Sequence, residues 1–538
     1  MNRQTDFLNS LLGGKASLDD EKIKSLNEDF KFILEDALKN NFIEKEIEVE
    51  IVTKIFAAII PSQLTPYFMK EIPTQLFYDF GVYLVNNSRN NIFEIIHNYL
   101  DVFRYSEFLE RIYDERKWDD LIYQLIVSSN FTVEKLFSQR VNDYGNKTLF
   151  KILKGAKVIN YSFETISNEV AKYGLAFASY IKNEKEENFK TAFLLDNSLT
   201  MAKLDIACLT AGIVNVMIPA NSVSHHISYI LNVTQATLLF VTDEKQLAKI
   251  KTIKKELTYL KQVVLLEGKS AEDWTFSFEE FLALGEGSNK EFLNELKSDT
   301  NCNSTATIMF TSGTTGEPKG IVFSQANIVY KRFCRAMALP KINDGDKYLA
   351  FLPLFHTFGR YLEMMGAIFW GAEYVFMENP SAETMVTHMQ QVKPSIFISI
   401  PKKWMQLYER IISEVDVEFE EEVTIKNKVQ EITGGKLKWG LSAAGYLPAD
   451  IFMFFQKYGI ELMSGFGMTE ATGGITMTPP GKYVENSLGK ELPGIEIKVA
   501  EDGELLIRGK YVMTGYYGES YEETFDSEGW FATGDIMR

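Results

Sequence analysis

The chain has 538 residues, 46% of them hydrophobic and 24% charged, an average globular composition that excludes a wholly disordered, collagen-like or low-complexity protein. At about 150 residues per domain this length predicts three to four folding units. The formal net charge of −17 comes from 56 basic against 73 acidic residues, which opposes bulk electrostatic attraction to nucleic acid or to an anionic membrane.

The N-terminal segment MNRQTDFLNSLLGGK lacks the apolar core and small-residue cleavage site of a secretory signal. From Leu18 to about Ser128 the pattern predicts helices, with Ile23, Leu26, Phe30, Leu34 and Leu38 spaced three or four apart. Pro61, Pro66 and Pro73 predict a bend between two helical groups. Residues 1–130 hold 14 basic and 22 acidic residues, hence −8 of the net charge. This stretch announces no chemistry, and a packed helical extension with an open partner-docking role is the expectation, leaving 131–538 as the body.

After Phe131 short β-branched runs alternate with helical stretches. Strands are expected at Thr191–Leu195, Ala236–Val241, Gln262–Leu266, Thr305–Phe310, Glu373–Met377 and Pro394–Ile400. Phe163–Lys182 and Thr384–Gln391 read as crossover helices. The fold class is therefore α/β, with layered and largely parallel sheets. The most apolar stretch, Leu204–Ala220, is interrupted by Asp205, Asn215 and Pro219, which a buried helix followed by a strand explains better than a membrane span. Gly494–Arg508, with an Asp502-Gly503 turn, predicts a small antiparallel subdomain. Cys208, Cys302 and Cys334 form no CxxC pair, which argues against a disulfide framework or a cysteine zinc site and for a reducing, cytoplasmic compartment.

The most informative segment is TATIMFTSGTTGEPKG, residues 305–320. A buried strand runs into a loop bearing Thr311, Ser312, Gly313, Thr314, Thr315, Gly316 and Lys319. Glycines let backbone N–H groups approach an anion, hydroxyls donate further hydrogen bonds, and the lysine brings positive charge, so the set suits a polyphosphate. It is not a Walker A loop, because Pro318 and Gly320 stand where that pattern requires Gly and Ser/Thr. His225-His226 has no third ligand nearby and does not read as a zinc site. The acidic run Glu418–Glu422 reads as a solvated face.

Residues 311–320, with SGFGMTEATGG at Ser464–Gly474 and GWFATGD at Gly529–Asp535, resemble the adenylate-forming superfamily of acyl-CoA synthetases, adenylation domains and luciferases. The resemblance spans about Phe131 to Arg538 and implies a large body of two α/β subdomains and a small β subdomain. It implies ATP or AMP contacts from Thr311, Ser312, Gly313, Thr314, Thr315, Gly316 and Lys319. It implies further contacts from Gly465, Phe466, Gly467, Met468 and Thr469, with Phe466 against adenine, Ser442, Ala443 and Ala444 opposite it, and Asp535 on the ribose. Glu470 and Thr311 are implied at a Mg²⁺ site, and Thr311, Lys319, Thr469 and Glu470 carry the implied catalysis. Activating a carboxylate requires in-line attack on the α-phosphorus, so positioning and charge neutralisation dominate.

FLPLFHTFGR, Phe351–Arg360, resembles the long-chain fatty acyl-CoA synthetase branch, which places His356 near the acyl and thiol entrance. Phe355, Phe358, Tyr361, Met364, Met365 and Phe369 suit either an alkyl channel or a core helix, and Phe358 and Met364 join His356 as the candidate acyl and CoA residues. The implied reaction is a fatty acid plus ATP giving acyl-AMP and pyrophosphate, followed by transfer to CoA. Loading of an acyl carrier protein and a non-catalytic nucleotide-binding scaffold or sensor are the competing expectations. Weak peripheral membrane association, a homodimer and a protein partner for the extension stay open. The chain stops three residues after Asp535, where the family continues into a lid domain; a longer natural product is expected, with this chain impaired in adenylation and thioester formation.

Overall fold

The computed structural model describes residues 74–537 apart from 88–92, 105, 113–116, 156, 187, 288–289, 312–315 and 340. The helices expected between Leu18 and Pro73 lie outside the described residues. Two compact units are present, one holding the described residues up to Phe131 together with Val329–Asn343, the other holding Thr132–Ile328 and Asp344 onward.

In the first unit, helices Thr74–Asn87, Phe93–Val102, Ser106–Ile112 and Trp118–Ser128 bury an aromatic cluster. Phe77 meets Phe108 edge-on at 5.1 Å and Phe103 meets Trp118 at 5.6 Å. Such edge-to-face pairs add to the burial of large apolar rings. The predicted helical character of this stretch is therefore present from Thr74 onward.

The second unit is built on strands. In chain order they are β1 Thr148–Lys154, β2 Lys157–Ser162, β3 Lys190–Leu194, β4 Val214–Met217, β5 Leu238–Val241, β6 Gln262–Leu265, β7 Thr275–Ser277, β8 Thr305–Thr311, β9 Lys319–Ser324 and β10 Lys347–Ala350. They continue as β11 Glu373–Phe376, β12 Ile396–Ser399, β13 Trp439–Ala443, β14 Glu461–Met468, β15 Gly473–Met477, β16 Lys490–Glu491, β17 Ile495–Val499, β18 Glu504–Gly509, β19 Gly515–Tyr516 and β20 Phe531–Ile536.

An eight-stranded sheet runs β19-β9-β8-β4-β3-β5-β6-β7, parallel from β8 to β7. A nine-stranded sheet runs β16-β15-β14-β13-β12-β10-β11-β1-β2, parallel from β14 to β1. The antiparallel subdomain expected near Gly494 is the three-stranded sheet β17-β18-β20.

The expected strands appear at shifted ends for local reasons. β5 starts at Leu238, because the Ala236 N–H still bonds the Leu231 carbonyl of the preceding helix. β12 starts after Pro394, which has no N–H for a ladder. Helix Ala382–Val392 opens two residues earlier than expected, where Ser381 accepts from the Thr384 N–H as its N-cap. The apolar stretch at 204–220 folds as helix Leu199–Ala211 followed by β4, both largely buried.

Candidate nucleotide and acyl site

β8 is buried from Ala306 to Phe310 and enters the loop at Thr311. The chain returns as β9, and the antiparallel register sets Thr311 opposite Lys319. The two ends of the 311–319 loop are thus tied by a ladder, while Ser312, Gly313, Thr314 and Thr315 lie outside the described residues. Gly316 has φ +121°, a backbone state that side-chain-bearing residues rarely adopt. Gly320 is required by packing, since a Cβ there would meet the Phe310 ring at 2.7 Å.

The second sheet supplies the neighbouring wall. In the parallel pair β13–β14, Ser442 lies opposite Ser464 and Ala443 opposite Gly465. Ala444 then takes φ +62°. The Ser442 hydroxyl is buried without a hydrogen-bond partner. Past Phe466, which is half-buried, β14 breaks register against β15 at Phe466–Gly467. A Cβ on Gly467 would sit 1.8 Å from the Gly473 carbonyl oxygen, so only glycine lets these backbones approach. Met468 ends the strand, and a 3₁₀ turn, Thr469–Ala471, presents Glu470.

Residues 513–517 link the two walls. The Met513 N–H donates to the Glu470 carbonyl at 2.7 Å, the Thr514 N–H to Val322 at 3.0 Å and the Tyr517 N–H to Gly320 at 2.7 Å. Between them β19 pairs with β9, Tyr516 opposite Ile321. The Tyr516 hydroxyl donates to Glu470 Oε1 at 2.9 Å. Lys319 Nζ lies 4.3 Å from the centre of the Tyr516 ring and 3.5 Å from Glu519 Oε1. Burial, and next the Glu470 carboxylate, push the Tyr516 phenol pKa up, so its hydroxyl remains a donor. Sequence reading missed Tyr516 and Glu519. The available signal was an aromatic pair, Tyr516-Tyr517, bracketed by Gly515 and Gly518.

Asp535 stands exposed on β20, on the separate three-stranded sheet. Its N–H is held by Thr533 Oγ1 at 3.1 Å, and the adjacent Gly534 N–H by Glu504 at 2.7 Å. His225, in helix Ser224–Thr234, pairs through Nε2 with Glu317 Oε1 at 2.9 Å. Glu418–Glu422 is exposed at a turn and helix start.

The FLPLFHTFGR segment leads into a π-helix, Phe358–Met364, a form that often marks functional sites. Phe358 is half-buried, whereas Tyr361, Met364, Met365 and Phe369 are buried. His356 reaches solvent at the mouth of this segment, yet crowding by surrounding chain lowers its imidazole pKa through desolvation. Arg360 is fully buried and forks onto Asp205, with Nε 2.8 Å from Oδ2 and Nη2 2.5 Å from Oδ1. It also donates to Thr307 Oγ1 at 3.0 Å and Asn215 Oδ1 at 3.1 Å. The polar residues that interrupted the apolar stretch, Asp205 and Asn215, thus tie the π-helix to β8, the strand that ends at Thr311.

The chain matches the AMP-binding enzyme family over residues 137–517. Among curated proteins, the long-chain-fatty-acid–CoA ligase ACSBG1 of Rattus norvegicus is 26% identical over 457 residues, covering 76% of this chain and 63% of that protein. FadD15 of Mycobacterium tuberculosis, also named a long-chain-fatty-acid–CoA ligase, is 24% identical over 371 residues, covering 62% of this chain and 60% of its own length. The chain therefore spans less than two thirds of these relatives. Among solved structures, the N-terminal domain of FACL13 from Mycobacterium tuberculosis aligns with a TM-score of 0.60 at 17% identity, covering 75% of this chain and 96% of that one. The anthranilate CoA ligase AuaEII, solved with anthranoyl-AMP, aligns with a TM-score of 0.61 at 20% identity, covering 75% of both chains. At these identities the structural likeness is one of fold.

Proposed function

The chain belongs to the AMP-binding enzyme family, and on that premise we propose that it activates a long-chain fatty acid for transfer to CoA. A fatty carboxylate oxygen attacks the α-phosphorus of ATP, the bond to the β-phosphate oxygen breaks, and pyrophosphate leaves. The CoA thiol then attacks the acyl carbon, expelling AMP and leaving its proton to solvent. The observation that carries this reading is the meeting of Lys319, from β9 of one sheet, and Glu470, from the turn that follows β14 of the other, on one side chain, Tyr516.

Each residue has a role set by its chemistry. Thr311 and Lys319, facing each other at the loop's two ends, bring a hydroxyl donor and an ammonium to the phosphates. Phe466 offers a flat face to adenine, with Ser442, Ala443 and Ala444 on the neighbouring strand and turn. Thr469 is assigned to the α-phosphate and Asp535 to the ribose. His356, Phe358 and Met364 are assigned to the acyl and CoA side. The relatives' printed activity, long-chain fatty acid ligation to CoA, supports this choice of substrates.

Glu470 and Thr311 fit a Mg²⁺ ion. They offer hard oxygen donors, a carboxylate and a hydroxyl, of the kind Mg²⁺ takes alongside substrate phosphate. Such an ion would supply charge neutralisation on the phosphate oxygens.

Fatty-acid-dependent exchange of labelled pyrophosphate into ATP tests the activation step, and acyl-CoA formation tests the acceptor. Exchange is expected with long-chain acids, and Glu470→Ala is expected to reduce it by roughly a hundredfold, the scale for losing one charge-stabilising group. Acyl transfer to a phosphopantetheinylated carrier instead of CoA overturns the acceptor. ATP binding without exchange for any fatty acid, unchanged by Glu470→Ala, overturns the enzymatic reading.

A further inference from the structure

The Lys319 side chain is about half exposed, yet it is not left to water. Its ammonium rests against the Tyr516 ring at 4.3 Å and near the Glu519 carboxylate at 3.5 Å. The same tyrosine donates its hydroxyl to Glu470 Oε1 at 2.9 Å. One side chain therefore touches both the cation assigned to the phosphates and the carboxylate assigned to the metal.

Its backbone is fixed on both sides. Tyr516 lies on β19, paired with β9, while Met513 bonds the Glu470 backbone carbonyl and Tyr517 bonds Gly320. An edge strand of two residues has little ladder of its own. Its placement rests on these cross-links, so the position of Tyr516 reports the spacing between Lys319 and Glu470. Glu519 follows directly, with its N–H bonded to the Tyr516 carbonyl at 3.1 Å.

We propose that Tyr516 is a positioning residue that sets Glu470 for the metal and Lys319 for the phosphates, and that Glu519 is a resident counter-ion which an incoming phosphate must displace from Lys319. This rests on the nucleotide-site reading above. The Tyr516 hydroxyl fixes which way the Glu470 carboxylate points. Its ring face favours a cation above it. Glu519 competes with phosphate for the same ammonium, so it weakens nucleotide binding and keeps Lys319 near the site when no nucleotide is there.

The test is titration of this chain with a fluorescent ATP analogue at varied Mg²⁺ concentration, with urea denaturation of each variant alongside. Tyr516→Phe keeps the ring and loses the hydroxyl. It is expected to raise the Mg²⁺ concentration for half-maximal binding about three- to tenfold, the scale of one lost hydrogen bond to a part-hydrated carboxylate. At saturating Mg²⁺ its nucleotide Kd is expected to stay within roughly twofold of the unsubstituted chain. Tyr516→Leu also removes the ring face and is expected to weaken binding even at saturating Mg²⁺. Glu519→Gln, at an exposed position beyond the strand, carries little folding risk and is expected to tighten ATP binding roughly two- to fivefold.

An unchanged Mg²⁺ dependence in Tyr516→Phe, with or without a lowered urea midpoint, overturns the positioning role. Unchanged or weaker ATP binding in Glu519→Gln overturns the counter-ion role. If the unsubstituted chain binds no ATP, the nucleotide-site reading itself falls and takes this proposal with it.

Discussion

Arg360 shows what a single residue does here. Its guanidinium is fully buried and donates to groups on three other elements, Asp205 on helix Leu199–Ala211, Asn215 on β4 and Thr307 on β8, as well as to the neighbouring Tyr361 hydroxyl. Asn215 in turn donates to Asp205 at 2.8 Å, and Thr307 donates to Asn215 Oδ1 at 2.6 Å. A buried charge pair of this kind is tolerable because its hydrogen-bonding groups have partners. Removing one side strands the other. Arg360→Met is expected to lower stability by about 3–5 kcal/mol, read from urea denaturation. Arg360→Lys is expected to restore little of it, since an ammonium cannot reproduce the planar fork. A double variant, Arg360→Met with Asp205→Leu, is expected to regain a large part, because it removes the uncompensated carboxylate. A full-sized loss persisting in the double variant counts against this account.

At the scale of the element, the π-helix Phe358–Met364 carries a second buried polar group with the opposite character. Glu363 is fully buried and its carboxyl oxygens close no hydrogen bond. Burial pushes its pKa well above the usual carboxylate value, and the nearby Leu352 backbone offsets this only in part. The native state therefore holds Glu363 protonated where the unfolded chain ionises. The stability this group permits is intact below the unfolded value near 4.5 and is lost as pH rises toward the elevated native value. Glu363→Gln removes that proton uptake. Its stability relative to the unsubstituted chain is expected to grow by about 1.4 kcal/mol per pH unit above that point, until the native carboxyl itself ionises. Urea midpoints of both proteins from mildly acidic to neutral pH provide the check, and parallel curves rule the account out. The helix thus carries a hydrogen-bonded cation, Arg360, and a neutral acid, Glu363, only three residues apart in sequence.

For the whole molecule the charge distribution matters more than the total. The net −17 includes −8 from residues 1–130, so the adenylate-forming body is less acidic per residue than the segment before it. Among the described residues no helix is long and apolar enough to cross a membrane. Bulk electrostatics repels an anionic bilayer, most strongly at low salt. This chain is accordingly expected not to sediment with vesicles rich in anionic lipid at low ionic strength. Salt-released binding to such vesicles reveals a local basic surface that outweighs the net charge.

Much of this protein is legible locally. Six strand positions, the crossover helices and the antiparallel subdomain near Gly494 follow from hydrophobic period and turn residues, which act within a few residues of chain. Tyr516 escaped such reading because its meaning depends on Lys319 and Glu470, both distant in sequence and joined to it only through sheet pairing and the 513–517 cross-links. Asp205 and Asn215 were visible as polar breaks in an apolar run, but their partner Arg360 was not. Glu363 looks like any helical glutamate until its burial is known. The amino-acid sequence by itself determined the kinds of element and the kinds of chemistry. The tertiary structure alone decided which groups meet and which are cut off from water, because contact and desolvation depend on atoms brought together from the whole chain.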